Sequence, residues 1–328
     1  MAARAGVGVG TVSRVLNQSP RVAAATRERV LRAIDELGFR PSQTARRLSL
    51  GQTQTLGVIA PFFAQSSVVE RLRGVDDVIG GSAYDLTIFN VHTAEQRLHA
   101  FQRFARRDRL DGLLVISIPL SEGEIDTLER ADLPVVLVDV AHPRLPHVAT
   151  DDVLGGRLVA QYLLAAGHRR IAFVGYPAEN PLGMLSTSRR LRGLRAALRS
   201  AGVRLSEANV KRGSVGRGGA RRLTDELLAL PRAPTAIFAD SDVQAFGVIS
   251  AVEAAGLSVP RDLSVIGFDD IELAGALGLT TLRQPLRASG ERGAELLLRE
   301  IEGGHQDALE PLPALTVVER RTVGPPPS

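Results

Sequence analysis

The chain has no cysteine, a single lysine (Lys211) among its 40 basic residues, and only 4% aromatic residues over 328 positions. Without cysteine there are no disulfides and no thiolate metal sites. With so few rings, the cores have to be built from Leu, Val, Ile and Ala, which a hydrophobic content of 44% supplies amply. No apolar run reaches the roughly 18 residues of a membrane span. No basic-then-apolar leader opens the chain, so a cytoplasmic protein with no membrane partner is expected. A G-x-S-x-G elbow, a P-loop, an H-E-x-x-H pair and metal-spaced clusters are all missing. Asp269, Asp270 and Glu272 supply carboxylates, but neighbours on one strand face opposite ways and cannot act together on one substrate. The chain is therefore not expected to be an enzyme or to carry a metal or cofactor.

The charge that is present is unevenly spread. Residues 1–50 hold nine arginines against Glu28, Asp35 and Glu36, a net of +6, while the whole chain carries only +4. A basic head on a near-neutral body points to a polyanionic partner for the head. The length implies two or three folded units.

Within the head, AGVGVGTVSRVLN suggests a phosphate-binding glycine loop. The dinucleotide fingerprint fails, because Thr11 stands where the third glycine belongs and no strand precedes Gly6 and Gly8. A helix fits instead. Val12, Val15 and Leu16 recur at helical spacing, with Thr11, Ser13, Arg14 and Asn17 on the other side. NQSPR reads as a turn. ATRERVLRAIDELGF reads as a second helix with Val30, Leu31, Ile34 and Leu37 on its apolar face and Gly38 as its stop.

AGVGVGTVSRVLNQSPRVAAATRERVLRAIDELGFRPSQTARRLS resembles, without gaps, the headpiece of the LacI/GalR family of bacterial repressors. The resemblance implies a helix-turn-helix whose second helix, here residues 9–16, enters the major groove. Val9, Gly10 and Arg14 then occupy positions that face base edges, and an arginine can grip guanine bidentately. Thr11, Ser13 and Asn17 suit phosphate contacts, and Arg21 in the following turn is counted with the DNA-binding set. Gly8 replaces the family's usual serine cap, which glycine tolerates. Gly10 leaves one base-reading position without a side chain. The family's first helix begins several residues before the point that Met1 matches. Only MAAR of it is expected here, with a loosened headpiece and weakened operator affinity.

The linker PSQTARRLSLGQT (residues 41–53) matches the family's hinge helix, which folds on operator DNA, and the hinge and linker are placed at 42–54. Leu48 corresponds to the minor-groove wedge, Ala45 to the small residue at the hinge–hinge contact, and Arg46 and Arg47 to neighbours of the backbone.

From residue 55 apolar strands (TLGVIAPF, YDLTIFNV, DGLLVIS, LPVVLVD, RRIAFVG, PTAIFA, LSVIGFDD) alternate with helical stretches at βαβ spacing. About ten strands in two sets, breaking near residue 150, predict two doubly wound parallel-sheet lobes with ligands at the strand C-termini. GHRRIAFVG, FADSDVQAFG, SVIGFDD and LTTLRQP are similar to the family's effector-binding core, which is of the periplasmic-binding-protein-like type. The fold class is thus an all-α headpiece followed by α/β lobes. Lobe one is expected at about 55–150 plus 284–315, lobe two at about 151–283 plus 316–324, and a disordered tail at 325–328. The resemblance implies Phe62, Asp139, Arg190, Ser241, Asp269 and Gln284 as effector-binding residues. Ser241 replaces the family's usual asparagine, and Asp242 is expected to cap the following helix. The reading is a homodimeric repressor on a pseudo-palindromic double-stranded operator, modulated by a small molecule such as a carbohydrate. The alternative is a solute-binding protein without DNA function.

Overall fold

The computed structural model describes residues 1–16, 19–38, 53–104, 109–177, 179–213, 216–303 and 310–327. Three helices open the chain: α1 (Ala2–Ala5), α2 (Val9–Leu16) and α3 (Ala24–Glu36). Gly6 ends α1 in the left-handed conformation at φ 61, which glycine adopts without steric cost. The core of this unit is small: Ala5, Val12, Val15, Val30 and Ala33. Leu31 and Leu37, expected on the apolar face of α3, are instead exposed. Val30, Ala33 and Ile34 form the inward stripe, and Leu31 lies one residue, about 100°, off it.

The first sheet contains β1 (Thr55–Pro61), β2 (Asp85–Val91), β3 (Gly112–Ile116), β4 (Val135–Val138) and β5 (His147–Val148), in the order β2-β1-β3-β4-β5. All its pairings are parallel. Its helices are α4 (Ser66–Ile79), α5 (Ala94–Phe104) and α6 (Glu122–Arg130). The second sheet contains β6 (Ile171–Gly175), β7 (Val210–Arg212), β8 (Ala236–Ala239), β9 (Ser264–Asp269), β10 (Thr281–Arg283) and β11 (Thr316–Val318). Its order is β11-β10-β9-β8-β6-β7, with β11 antiparallel to β10. Helices α7 (Asp152–Ala165), α8 (Ser186–Ser200), α9 (Arg217–Leu228), α10 (Asp242–Ala254) and α11 (Glu272–Leu277) belong to it.

The last helix, α12 (Leu286–Glu302), follows β10 of the second sheet but packs on α4, β3 and β4 of the first. The chain then returns to the second sheet through β11. The central strands are buried on both faces, as parallel sheets with helices on each side require. The cores are less purely aliphatic than the composition predicts: Phe173, Phe238 and Phe268 stack through the second lobe with centroids 5.4 and 6.2 Å apart.

Among the described residues, two helix pairs meet backbone to backbone through reciprocal glycines. Between α4 and α12, a Cβ on Gly74 would stand 2.0 Å from the Arg287 carbonyl oxygen, and one on Gly290 1.9 Å from that of Arg71. Between α7 and α8, the same holds for Gly156 against Arg190 (1.9 Å) and Gly193 against Val153 (2.0 Å).

Residues 325–327, expected to be disordered, are placed. Gly324 accepts a hydrogen bond from buried His168 (2.9 Å), and Pro326 lies against Gly167. No described helix is long and apolar enough to cross a membrane.

Candidate DNA-facing helix and effector cleft

Helix α2 buries Val12 and Val15, packs Leu16 against the same core and turns Val9, Gly10 and Arg14 outward. Val9 is 77% exposed, beside exposed Gly10 and Arg14. Thr11 and Ser13 are half-buried at its flank, and Arg21 is exposed in the turn that follows. Asn17, Ala45, Arg46 and Leu48 lie outside the described residues, as does the hinge. Arg27 steadies the turn by donating to the Ser19 carbonyl at 2.7 Å.

In the two lobes, residues with left-handed backbone gather at strand C-termini. Phe62 (φ 46) follows β1, Ser117 (φ 57) follows β3, Asp139 (φ 71) follows β4, Asp269 (φ 121) ends β9 and Asp270 (φ 59) follows it. Such conformations are costly for residues with a Cβ and concentrate where a fold holds a working site.

Around these strand ends the structure brings two arginines and four aspartates together. Arg71 of α4 lies 2.7 Å from Asp139, which also accepts from the Ser117 hydroxyl at 2.7 Å. Arg71 donates to Gln284 at 3.3 Å, and the Gln284 amide donates in turn to Asp269. Arg190 donates through Nε to Asp152 at 2.9 Å and through Nη1 to the Asp240 carbonyl at 2.6 Å. Thr187 donates to the Asp240 carboxylate. None of Arg71, Asp139, Asp152, Arg190, Asp240, Asp269 and Gln284 is more than 8% exposed.

Burial sets the electrostatics. It raises the carboxyls of Asp152, Asp240 and Asp269 against the opposing pull of Arg190, and Asp269 reaches about 6. Burial would lower Arg190, but Asp152, Asp240 and Asp269 outweigh it and hold the guanidinium charged. The Tyr176 hydroxyl is pushed up to about 12, chiefly by burial, and is hydrogen-bonded to Ser241. Among the described residues, Arg71 Nε and both amide atoms of Gln244 have no hydrogen-bond partner. Fork-shaped donors beside carboxylate acceptors can grip adjacent hydroxyls from both sides.

Of the six candidate effector residues, Asp139, Arg190, Asp269 and Gln284 fall in this cluster. Phe62 is half-buried against the first-lobe core, tilted 58° to His92 at 5.1 Å. Ser241 is the cap of α10, accepting from the Gln244 backbone N–H at 3.3 Å. Asp242, expected to be that cap, instead accepts from Thr281 and from the Ile271 N–H. As the first residue inside α10 its carboxylate points across to β10. Asp270 faces away from Asp269, toward Arg283 and Arg320 at 2.7 Å each.

Sequence reasoning missed Arg71, Asp152, Asp240 and Tyr176. Arg71 carried a signal, since it sits on the apolar stripe of Val68 and Val75, where a solvated arginine has no place.

Two grooves open beside the cluster. One of about 460 Å³ reaches Asp269 and Gln284 beside Glu70, Arg73 and Arg283. The other, of about 1220 Å³, runs along Val69 and Arg73 of α4 and Phe246, Ile249, Leu273 and Leu277 of the second lobe.

Residues 1–42 match the bacterial regulatory proteins of the lacI family, and residues 160–323 match the periplasmic binding protein-like domain. The chain is 34% identical to the HTH-type transcriptional repressor PurR of Erwinia tasmaniensis, over 98% of this chain and 95% of that protein. It is similar to the solved lac repressor dimer bound to operator and the anti-inducer ONPF (27% identity, TM-score 0.84, 98% of this chain and 97% of that one). It is also similar to a LacI family transcriptional regulator from Enterococcus faecium with bound ribose (27% identity, TM-score 0.71, 83% of this chain and 99% of that one). With a helix-turn-helix head, two doubly wound lobes and a buried charge cluster between their strand ends, this chain belongs to the LacI family of bacterial regulatory proteins.

Proposed function

We propose that the chain is a sequence-specific, DNA-binding transcriptional repressor whose operator affinity is set by a small molecule held between its lobes. The observation that carries the DNA half is Val9. A valine 77% exposed beside Arg14 on one helix is left uncovered among the described residues, and a thymine methyl with an adjacent guanine would satisfy both. Thr11, Ser13 and Arg21 flank that face and suit phosphates. The hinge at 42–54, with Ala45, Arg46 and the Leu48 wedge, would complete the grip. A solute-binding protein without DNA function would leave the basic head and its exposed valine without a role.

The subunits pair through the groove of about 1220 Å³, where Phe246, Ile249, Leu273 and Leu277 offer an apolar face. Two copies then read a pseudo-palindrome. We assign lobe one to about 55–150 with 284–315 and lobe two to about 151–283 with 316–324. The effector is a neutral, hydroxyl-rich compound of the carbohydrate class. Asp139, Arg190, Asp269 and Gln284 bind it, Arg71 joins them, and Phe62 faces its ring. Selection from a randomised duplex pool with the full chain tests the reading: a symmetric motif should emerge, and Arg14→Ala should abolish it. Recovery of no motif would sink the repressor assignment. A thermal-shift screen over neutral sugars tests the effector class.

A further inference from the structure

A loop of the second lobe is built into the core of the first. Between β6 and α8 the chain leaves its own sheet, and Leu182 is fully buried in the cluster that holds Phe101, Ile118 and Leu120 of the first lobe. Met184 packs against the same cluster. The loop is shaped for this insertion. Asn180 Oδ1 accepts from the backbone N–H groups of Leu182 (3.3 Å) and Met184 (2.8 Å), and its Nδ2 donates to the Met184 carbonyl (2.9 Å). Gly183 between them adopts φ 70.

From the first lobe, Arg97 of α5 closes over the loop. Its Nε and Nη2 hold Glu124 bidentately at 2.9 and 2.6 Å. Nη2 also donates to the Pro119 carbonyl (2.7 Å), and Nη1 donates to the Leu182 carbonyl (2.9 Å). Every nitrogen of the fork is thus engaged on a surface made by both lobes. Glu124 is itself fixed by the capping box of α6: its N–H donates to the Ser121 hydroxyl, and its carboxylate accepts from the Ser121 N–H.

The covalent crossovers between the lobes permit rotation. An apolar side chain buried in the opposite lobe opposes it, because parting the lobes returns that side chain to water. The same loop runs directly into α8, which carries Thr187 and Arg190 into the charge cluster. We propose that residues 179–185 form a clasp that holds the two lobes closed over that cluster, and that withdrawal of Leu182 from beneath Arg97 is the step that admits the effector. The second half of this statement rests on the reading of the cleft as an effector site; the clasp itself does not.

The absence of native cysteine makes a direct test possible. Gln102→Cys and Arg192→Cys place spin labels on exposed positions of α5 and α8. Full chains labelled at both, diluted into unlabelled subunits, report the distance between lobes by pulsed electron resonance. The parent should give one narrow distribution. Leu182→Ser should broaden it and move it several ångströms longer, and Arg97→Gln should do so to a smaller extent. Arg97→Gln leaves the first-lobe core intact and decides the matter if Leu182→Ser does not fold, which circular dichroism reports. Longer distances support the clasp whatever the effector proves to be. Folded variants that keep the parent distribution overturn it and leave the effector reading untouched.

Discussion

The guanidinium of Arg190 lies over the ring of Phe268, its Cζ 3.7 Å from the centroid. That geometry stacks the arginine on an apolar floor while its edge faces Asp152 and Asp240. A planar fork can do both at once, and an ammonium cannot. Arg190→Lys should therefore lose effector response while keeping operator binding, read by mobility shift with and without ligand.

Arg190→Met goes further and strips the buried aspartates of their counter-ion. Removing one partner of a buried pair costs about 3–5 kcal/mol, so its denaturant midpoint should fall steeply. A Met variant as stable as the parent would show that these aspartates are protonated in the folded chain.

Asp269 should make folding depend on pH in an unusual direction. Its carboxyl is raised from 3.8 to about 6, mainly by burial. A folded-state value above the unfolded one means that the folded chain holds the proton more tightly. The stability it contributes is then present at low pH and lost as pH rises from about 4 to about 6. Two units correspond to about 3 kcal/mol. Asp269→Asn should flatten this slope in urea melts at pH 4.5, 5.5 and 7. An unchanged slope would assign the titration to another carboxyl.

His168 should act in the opposite sense. It is fully buried, with Thr235 at 3.0 Å on one ring nitrogen and Gly324 (2.9 Å) and Ser264 (3.1 Å) on the other. Burial lowers its pKa below the usual 6.5, against the opposing hydrogen bond to Gly324. Stability from the neutral ring is present above 6.5 and lost as pH falls. In His168→Gln, calorimetry between pH 7 and 5 should show a melting temperature that declines less on acidification than the parent's. An identical decline would remove His168 from the account.

The headpiece should be fragile. Val30 is fully buried in a core of five residues, and Val30→Ala should cost about 2 kcal/mol. Calorimetry should show an earlier headpiece transition beside an unchanged one for the lobes. Leu31→Ala, on the exposed neighbour, should change stability by no more than about 0.5 kcal/mol.

The alternation of apolar strands and helices made both lobes readable, because burial on both faces leaves no freedom in residue type. Asp269 and Arg190 were legible as neighbours in the buried cluster for a different reason: Asp269 ends the strand of SVIGFDD and Arg190 lies early in α8. Arg71 was hidden because its partners, Asp139 and Gln284, are 68 and 213 positions away. Leu182 was hidden more deeply. Nothing local distinguishes a loop leucine that meets solvent from one that enters another lobe. The placement of α12 on the first sheet was foreshadowed by LTTLRQP, but the exposure of Leu31 was not, since one residue of helical phase decides it.

The reciprocal glycine contacts carry a mechanical consequence. Where Gly290 meets the carbonyl of Arg71 and Gly156 meets that of Arg190, no side chain lies between the two backbones at the point of contact to yield. Sliding at these points would drive one backbone into the other, so Arg71 and Arg190 are each held fixed on their own helix pair. The two cleft arginines are then the fixed jaws of a caliper. A turn at the crossovers would change the gap between them, and a molecule spanning that gap would sense the angle of the hinge.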